Sequence, residues 1–301
     1  MKLWRTLGNY KMLYLFLLPA VLVTFIFNYI PLVGVVMAFQ DFNIVQGYFG
    51  SPFVGLDNFK NFLDNPDFYT ALRNTLAMSF LLIIIGFPVP ILFAIMINEM
   101  KNKAFKRIAQ TLTYLPHFLS WVVISGLIYR MLEEYFGAVN LLLNALGLDK
   151  IAFLRDPDYF WGILVSGSIW KDMGWNSIIY LAAMAGIDPA LYEAATIDGA
   201  GRWKKILYIT LPGIAPVIGL LLIFNIGTLV GGASFDAVYN LHNPLVGEKA
   251  MTLDYFVYLE GIRQNNPSLA SAVGLTFSLV SFGLVLTANL ISKKVSGYRA
   301  F

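Results

Sequence analysis

The chain has 301 residues, of which 58% are hydrophobic and only 13% are charged. Soluble domains have roughly 25% charged residues, so the composition excludes an ordinary soluble protein and predicts one that crosses a membrane several times. The absence of cysteine excludes disulfide frameworks and thiolate metal sites, and a net charge of only +3 argues against a nucleic-acid partner.

Six apolar stretches of at least 22 residues predict transmembrane helices. Five contain no Asp, Glu, Lys or Arg, and the other is interrupted only by Lys171 and Asp172. A helix needs about 20 apolar residues to cross a hydrocarbon core of about 30 Å, and an open sheet cannot satisfy its backbone in lipid. The predicted spans are 12–40, 74–98, 108–129, 159–187, 212–235 and 266–292.

The segments between these spans are short. The outer loop 41–73 contains a predicted amphipathic helix at 67–73, which follows an Asn-Pro pair. The uncharged stretches 135–148 and 237–247 are too short to span and are interpreted as re-entrant or surface segments. No repeat or soluble domain is evident, so residues 1–301 are predicted to form one all-α transmembrane domain.

Basic residues are concentrated in alternate connecting segments. Thirteen lie in the two tails, the second loop and the fourth loop, against four acids, whereas the other three loops hold seven basic and thirteen acidic residues. By the positive-inside rule, both termini are predicted to lie in the cytoplasm. The concentrated basic residues are Lys2, Arg5, Lys11, Lys101, Lys103, Lys106, Arg107, Arg202, Lys204, Lys205, Lys293, Lys294 and Arg299.

The predicted cytoplasmic loop 188–212 has strong helix signals. Asp188 is a good N-cap, and Pro189 suits the first helical position because its missing N–H would be unpaired there. Gly199 and Gly201 predict the end of a short helix near Ile197, since glycine tolerates the left-handed conformation that terminates helices.

A second short helix is predicted after these glycines. Trp203, Ile206 and Leu207 have the i, i+3, i+4 spacing of one helix face, and basic residues flank them. This pattern is typical of a helix lying at the membrane surface. Pro212 is then expected to begin the fifth span.

Loop 188–212 resembles the EAA signature of ABC importer permeases. That signature reads Glu-Ala-Ala, three residues, Gly, nine residues, Ile, one residue, Leu-Pro, and this chain meets every spacing. The resemblance implies that the first short helix is a coupling helix that docks into a cleft of a separate ATPase subunit. The matching residues, expected to serve ATPase coupling, are Glu193, Ala194, Ala195, Gly199, Ile209, Leu211 and Pro212.

Other segments resemble sugar-importer permeases within this family. They are 15–20, 51–59, 170–176 and 195–200. Two more, 240–245 and 296–301, resemble the branch that imports complex or acidic oligosaccharides. The resemblance implies a six-helix permease in the bacterial cytoplasmic membrane, paired with a second permease of similar fold. It also implies two ATPase subunits, which hold ATP and Mg, and an extracytoplasmic solute-binding protein.

The chain itself has no nucleotide-binding or catalytic motif. It lacks the G-x-x-x-x-G-K-[ST] phosphate loop, so it is expected to be a permease without enzyme activity and to bind no cofactor or metal. His117 and His242 lack ligand spacing and are interpreted as satisfied or exposed side chains. Two alternatives stay open: an ion-coupled secondary transporter or channel that uses Lys171 and Asp172, and an ABC importer of a non-sugar solute.

Polar side chains inside the fourth and fifth predicted spans are candidates for a substrate pathway. Ionisable groups at membrane depth usually line a pathway or pair with a partner, and aromatic rings beside amides suit a carbohydrate. The competing interpretation is structural: an ion pair to a partner permease, or interhelical hydrogen bonding for Asn225 and Asn289. The candidate pathway residues are Trp170, Lys171, Asp172, Trp175, Asn176 and Asn225.

Overall fold

The computed structural model describes residues 11–296, with side chains described as far as Ile291. Within that range every regular element is helical, and β-type pairing is limited to one isolated bridge between Gln40 and Phe53. The predicted all-α class is therefore confirmed for this part of the chain. The predicted basic residues Lys2 and Arg5, and residues 297–301 with Arg299, lie outside the described residues.

The long helices are numbered here in chain order. They are α1 (Lys11–Phe39), α2 (Pro66–Glu99), α3 (Lys103–Phe118), α4 (Trp121–Leu132), α5 (Pro157–Ala185), α6 (Pro189–Ile197), α7 (Arg202–Gly227) and α8 (Pro267–Ser296). Short helices at Ala138–Ala145 and Phe235–Leu241 overlap the two uncharged stretches, 135–148 and 237–247, that are too short to span.

Four of these helices are long and apolar enough to cross a membrane by themselves, namely α1, α2, α7 and α8. The predicted span 108–129 covers parts of α3 and α4, which meet at 106°, and the predicted span 159–187 corresponds to α5, which meets α6 at 71°. The described residues therefore contain four candidate spans, or six if each bent pair counts as one. The predicted orientation stays a prediction.

Two predicted boundaries differ from the structure. Helix α2 begins at Pro66, so the predicted amphipathic helix 67–73 is its first part rather than a separate element. Helix α7 begins at Arg202, ten residues before the predicted start of the fifth span at Pro212, and its regular α-helical part runs from Leu211 to Gly227. Residues 228–234, which include the end of that predicted span, are not helical.

A wide helical turn precedes proline in three of the long helices, and each of these helices continues past the proline. A wide, π-type turn ends two residues before Pro31, Pro88 and Pro212, within α1, α2 and α7 respectively. Proline removes one backbone donor and its ring crowds the carbonyl four residues earlier. The wider turn changes the local hydrogen-bond pattern at that point, so the helix bends or shifts instead of ending.

The described residues divide into two compact units. The first comprises residues up to Asn65 with Val257–Thr276. Within it, the Asn58 side chain donates to the carbonyls of Ala38 (3.1 Å) and Gln40 (2.9 Å) at the end of α1. Segment 51–59, which resembles sugar-importer permeases, thus folds back onto the end of the first span.

The second unit comprises Pro66–Phe256 with the chain from Phe277 onward. Its core lies where α2, α5 and α7 meet, and α3 approaches α5 so closely that a methyl group at Gly174 would overlap the Thr113 carbonyl. This unit contains both loop 188–212 and the candidate pathway residues. The buried core residues are Ile91, Ala94, Ile95, Tyr180, Met184, Ile206 and Ile214.

Candidate functional site

Helix α6 begins as the sequence predicts. The Asp188 side chain accepts a hydrogen bond from the Ala190 N–H at 2.9 Å, and Pro189 occupies the first helical position. An N-cap of this kind satisfies one of the four backbone donors that a helix leaves unpaired at its start. The beginning of the helix is therefore set by two adjacent residues.

Helix α6 ends in a Schellman motif centred on Gly199. This residue has φ +72°, the Ala200 N–H donates to the Ala195 carbonyl at 2.8 Å, and the Gly199 N–H donates to the Thr196 carbonyl at 3.1 Å. A left-handed residue at this point is strained unless it is glycine. The glycine of the signature is therefore required by the backbone.

The second short helix of the loop is not a separate element. Arg202 begins the continuous helix α7, and Trp203, Ile206 and Leu207 do not share an environment. Ile206 is buried in the core, whereas Trp203 and Leu207 are exposed. A wide turn occupies Ile206–Thr210, directly after the first turn of α7. The common face of these three residues stays a prediction.

Two side-chain hydrogen bonds fasten α6 to α7. The hydroxyls of Tyr192 and Thr210 lie 3.0 Å apart, and the Lys205 ammonium donates to the Thr196 hydroxyl at 2.6 Å. The sequence pattern predicts neither contact. A hydroxyl-bearing residue on each element was the available signal, but nothing local indicates which residues would meet.

The fastened loop rests directly on the buried core. Ile206 and Ile214 of α7 pack with Met184 of α5, and Ile187 packs against the same cluster. A methyl group on Gly213 would lie 2.6 Å from the end of the Ile187 side chain. The residue that precedes α6 in the chain by two positions is therefore packed against the adjoining ends of α5 and α7.

The outer surface of α6 is open. None of its residues is buried, and the Ile197 side chain is 88% exposed. Among the signature residues, Glu193, Ala194, Gly199 and Pro212 are exposed, and Ala195, Ile209 and Leu211 are half-buried. A firmly mounted helix that exposes alanine, isoleucine and one carboxylate has the character of a docking surface.

A cavity of about 300 Å³ lies among α2, α5, α7 and the segment after α7. Of the predicted pathway residues, Asp172, Asn176 and Asn225 line it, whereas Trp170, Lys171 and Trp175 do not. The Asn225 amide donates to the Leu221 carbonyl of its own helix at 2.9 Å, a bond within the helix and not the expected bond between helices. Further polar lining comes from Ser79, Ser168, Tyr180, Thr228 and Ser234.

Lys171 and Asp172 hold the bend between α3 and α4. The Lys171 ammonium donates to the carbonyls of His117 (2.6 Å) and Leu119 (2.8 Å), which lie at the bend. Asp172 Oδ1 lies 2.8 Å from His117 Nδ1, and the His117 ring stacks on Trp175 with ring centroids 4.5 Å apart. His117 is thus a satisfied side chain, as predicted, and the ionisable pair contacts this bend.

A comparison with protein families assigns the chain. Residues 86–297 match the family described as "Binding-protein-dependent transport system inner membrane component". The chain belongs to this family of inner membrane components. Within this inner membrane component, the matched region holds α6, its fastenings to α7 and most of the cavity lining.

Relatives of this inner membrane component agree with the family match. The chain is 43% identical over 285 residues to the "Polygalacturonan/rhamnogalacturonan transport system permease protein YteP" of Bacillus subtilis (strain 168), covering 94% of this chain and 88% of that protein. That relative is a permease, so the predicted class of the chain is confirmed.

Two solved structures are similar in both fold and sequence. One is a bacterial ABC transporter involved in the import of the acidic polysaccharide alginate, with a TM-score of 0.90, 38% identity, and coverage of 98% of this chain and 100% of that chain. The other is the bacterial alginate ABC transporter in complex with an alginate pentasaccharide-bound periplasmic protein. Its TM-score is also 0.90, with 37% identity and coverage of 99% and 100%.

Proposed function

We propose that this chain is the permease subunit of an ATP-driven importer that carries an oligosaccharide into the bacterial cytoplasm. The observation that carries the proposal is the mounting of α6. None of its residues is buried, yet two side-chain hydrogen bonds fasten it to α7, and a packed core adjoins it through Ile187. A docking helix built this way transfers movement inward instead of absorbing it.

The energy enters through α6 in this proposal. Ala194 has no bulk to hold a partner backbone away, and Glu193 offers a carboxylate to donors across the joint, where a charge-assisted hydrogen bond is strong. Closure of two ATPase subunits around ATP and Mg displaces α6. The ends of α5 and α7 follow because they share its core, and these helices carry Asp172, Asn176 and Asn225 into and out of the cavity wall.

The same proposal assigns the partners. A second permease of similar fold completes the membrane core. The segments 41–73 and 233–263, which this proposal places on the outer side, receive a solute-binding protein. The related alginate transporter, which was solved in complex with a periplasmic protein, supports this arrangement. Both termini lie in the cytoplasm, as the distribution of basic residues indicates.

An oligosaccharide is the proposed substrate for two reasons. Similar proteins are named for polygalacturonan, rhamnogalacturonan and alginate. The cavity is lined by one carboxylate, two amides and the rings of Trp121 and Tyr180. Four serine and threonine hydroxyls complete its polar lining. Amides and carboxylates bond sugar hydroxyls, and aromatic rings pack on sugar faces.

The test uses the complete importer, purified with its co-purifying subunits and reconstituted in liposomes. Labelled oligogalacturonide or alginate oligosaccharide is offered with the solute-binding protein, and uptake is measured with ATP, without ATP, and with an imposed proton or sodium gradient. ATP-dependent uptake is expected. Uptake driven by the ion gradient without ATP would establish the secondary transporter instead, and ATP-dependent uptake of non-sugar solutes alone would contradict the substrate class.

A further inference from the structure

Helix α3 exposes a continuous apolar stripe. Phe105, Ile108, Leu112 and Leu115 recur at i, i+3, i+7 and i+10, which places them on one helix face. All four are exposed, Leu112 to 63%. The opposite side is partly covered, and there the backbone of Thr113 approaches α5 closely. The helix thus presents its apolar side outward, which is the reverse of a helix in a soluble protein.

The length of this stripe matches one leaflet of a bilayer. Ten residues separate Phe105 from Leu115, a distance of about 15 Å along a helix axis. A hydrocarbon core is about 30 Å thick, so the stripe covers the depth of one leaflet. Beyond it, the chain turns through 106° into α4.

Four cations cluster at the start of the same helix, where headgroups of that leaflet would lie. Lys101, Lys103 and Arg107 are exposed and Lys106 is half-buried. In the part of the chain that the structure describes, none of these side chains forms an ion pair or a hydrogen bond. Glu99 is the single acid from residue 99 to residue 107, so this segment has a net charge of +3.

The start of α3 is capped by its own chain, which satisfies two of the backbone donors that a helix leaves unpaired there. The Asn102 side chain accepts from the N–H groups of Ala104 (3.0 Å) and Phe105 (3.1 Å). What remains unsatisfied is the side-chain charge. Long basic side chains extend to the membrane interface while their stems lie along apolar surface, and anionic lipids attract basic clusters beside a span.

We propose that Lys101, Lys103 and Arg107 bind the phosphate headgroup of an anionic phospholipid whose acyl chains lie along the α3 stripe. A lipid supplies both a negative headgroup and an apolar body, and these match the two features in their observed order along the helix. The site lies in the cytoplasmic leaflet if the proposed orientation is correct. The lipid would hold the α2–α3 connection next to the core that carries α6.

The test titrates the purified importer with phosphatidylglycerol or phosphatidylcholine and counts bound lipids by native mass spectrometry. The Lys101→Gln, Lys103→Gln, Arg107→Gln triple variant is expected to lose phosphatidylglycerol affinity by about fivefold for each cation removed. Phosphatidylcholine binding is expected to stay unchanged. The single variant Lys103→Gln gives a milder measurement in case the triple variant assembles poorly.

Two controls isolate the site. The charge-conserving variant Lys101→Arg, Lys103→Arg, Arg107→Lys should keep the affinity, and so should Lys150→Gln, which removes an exposed cation elsewhere. Equal phosphatidylglycerol affinity in wild type and triple variant overturns the proposal. So does loss of the ATPase subunit from the triple variant while lipid stays bound, since that result assigns the cations to a protein partner. Lipid affinity is measured without transport, so this outcome is independent of the uptake assay.

Discussion

Replacing Gly199 by alanine tests whether the end of α6 is needed for coupling. Nothing lies within 4 Å of the position that a new Cβ would take, so the substitution causes no steric overlap. It does place a side chain on a residue with φ +72°. The change therefore acts on the backbone of the Schellman motif alone.

The expected magnitude follows from that backbone conformation. A non-glycine residue in the left-handed region costs roughly 1–2 kcal/mol, which is a factor of about 5–30 in a conformational equilibrium. If the substituted residue relaxes to the right-handed region, the 2.8 Å bond from Ala200 to Ala195 is lost. The Lys205–Thr196 contact that follows then loses its geometry as well. We expect the equilibrium constant between the docking-competent and relaxed conformations of α6 to fall by about the same factor.

The assay measures oligosaccharide taken up per ATP hydrolysed in proteoliposomes, together with affinity for the ATPase subunit. Gly147→Ala is the matched control: Gly147 has φ +76°, also has nothing within 4 Å, and ends helix Ala138–Ala145 with the same pair of hydrogen bonds. The backbone penalty is equal, but the control lies outside loop 188–212. Full coupling in Gly199→Ala, or equal loss in both variants, would refute the assigned role.

Two further predictions concern the helices beneath the loop. Gly174→Ala should lower the thermal midpoint strongly or prevent assembly, because the new methyl group meets the backbone of α3. The measurement is size-exclusion chromatography of heated samples. Gly162→Ala lies on the same helix with open space around it and should have little effect, so equal behaviour of the two variants would contradict the close packing. Lys171→Met should destabilise the chain by about 1–3 kcal/mol, since the His117 carbonyl loses a charged donor. Lys171→Arg should retain most of that stability. An unchanged melting curve for Lys171→Met would show that the Lys171 hydrogen bonds do not stabilise the bend between α3 and α4.

The sequence by itself determined the elements whose physics is local. Apolar stretches long enough to cross a bilayer indicated the long helices α1, α2, α7 and α8. The cap residues Asp188, Pro189 and Gly199 placed both ends of α6, because these signals lie within a few residues of the helix ends. The family signature in loop 188–212 was equally local. The helix ends are specified locally because a short segment can pair its own backbone N–H and C=O groups without help from the rest of the fold.

Tertiary structure decided which side chains meet when they are far apart in the chain. Lys171 and the carbonyl that it contacts are 54 positions apart in the chain, and Tyr192 meets Thr210 across the 18 positions of the loop. Local pattern cannot show such partners because packing between helices chooses them. The same packing holds α7 as one helix that begins ten residues before Pro212, where the sequence predicts the start of the fifth span, and a wide turn precedes that proline within the helix.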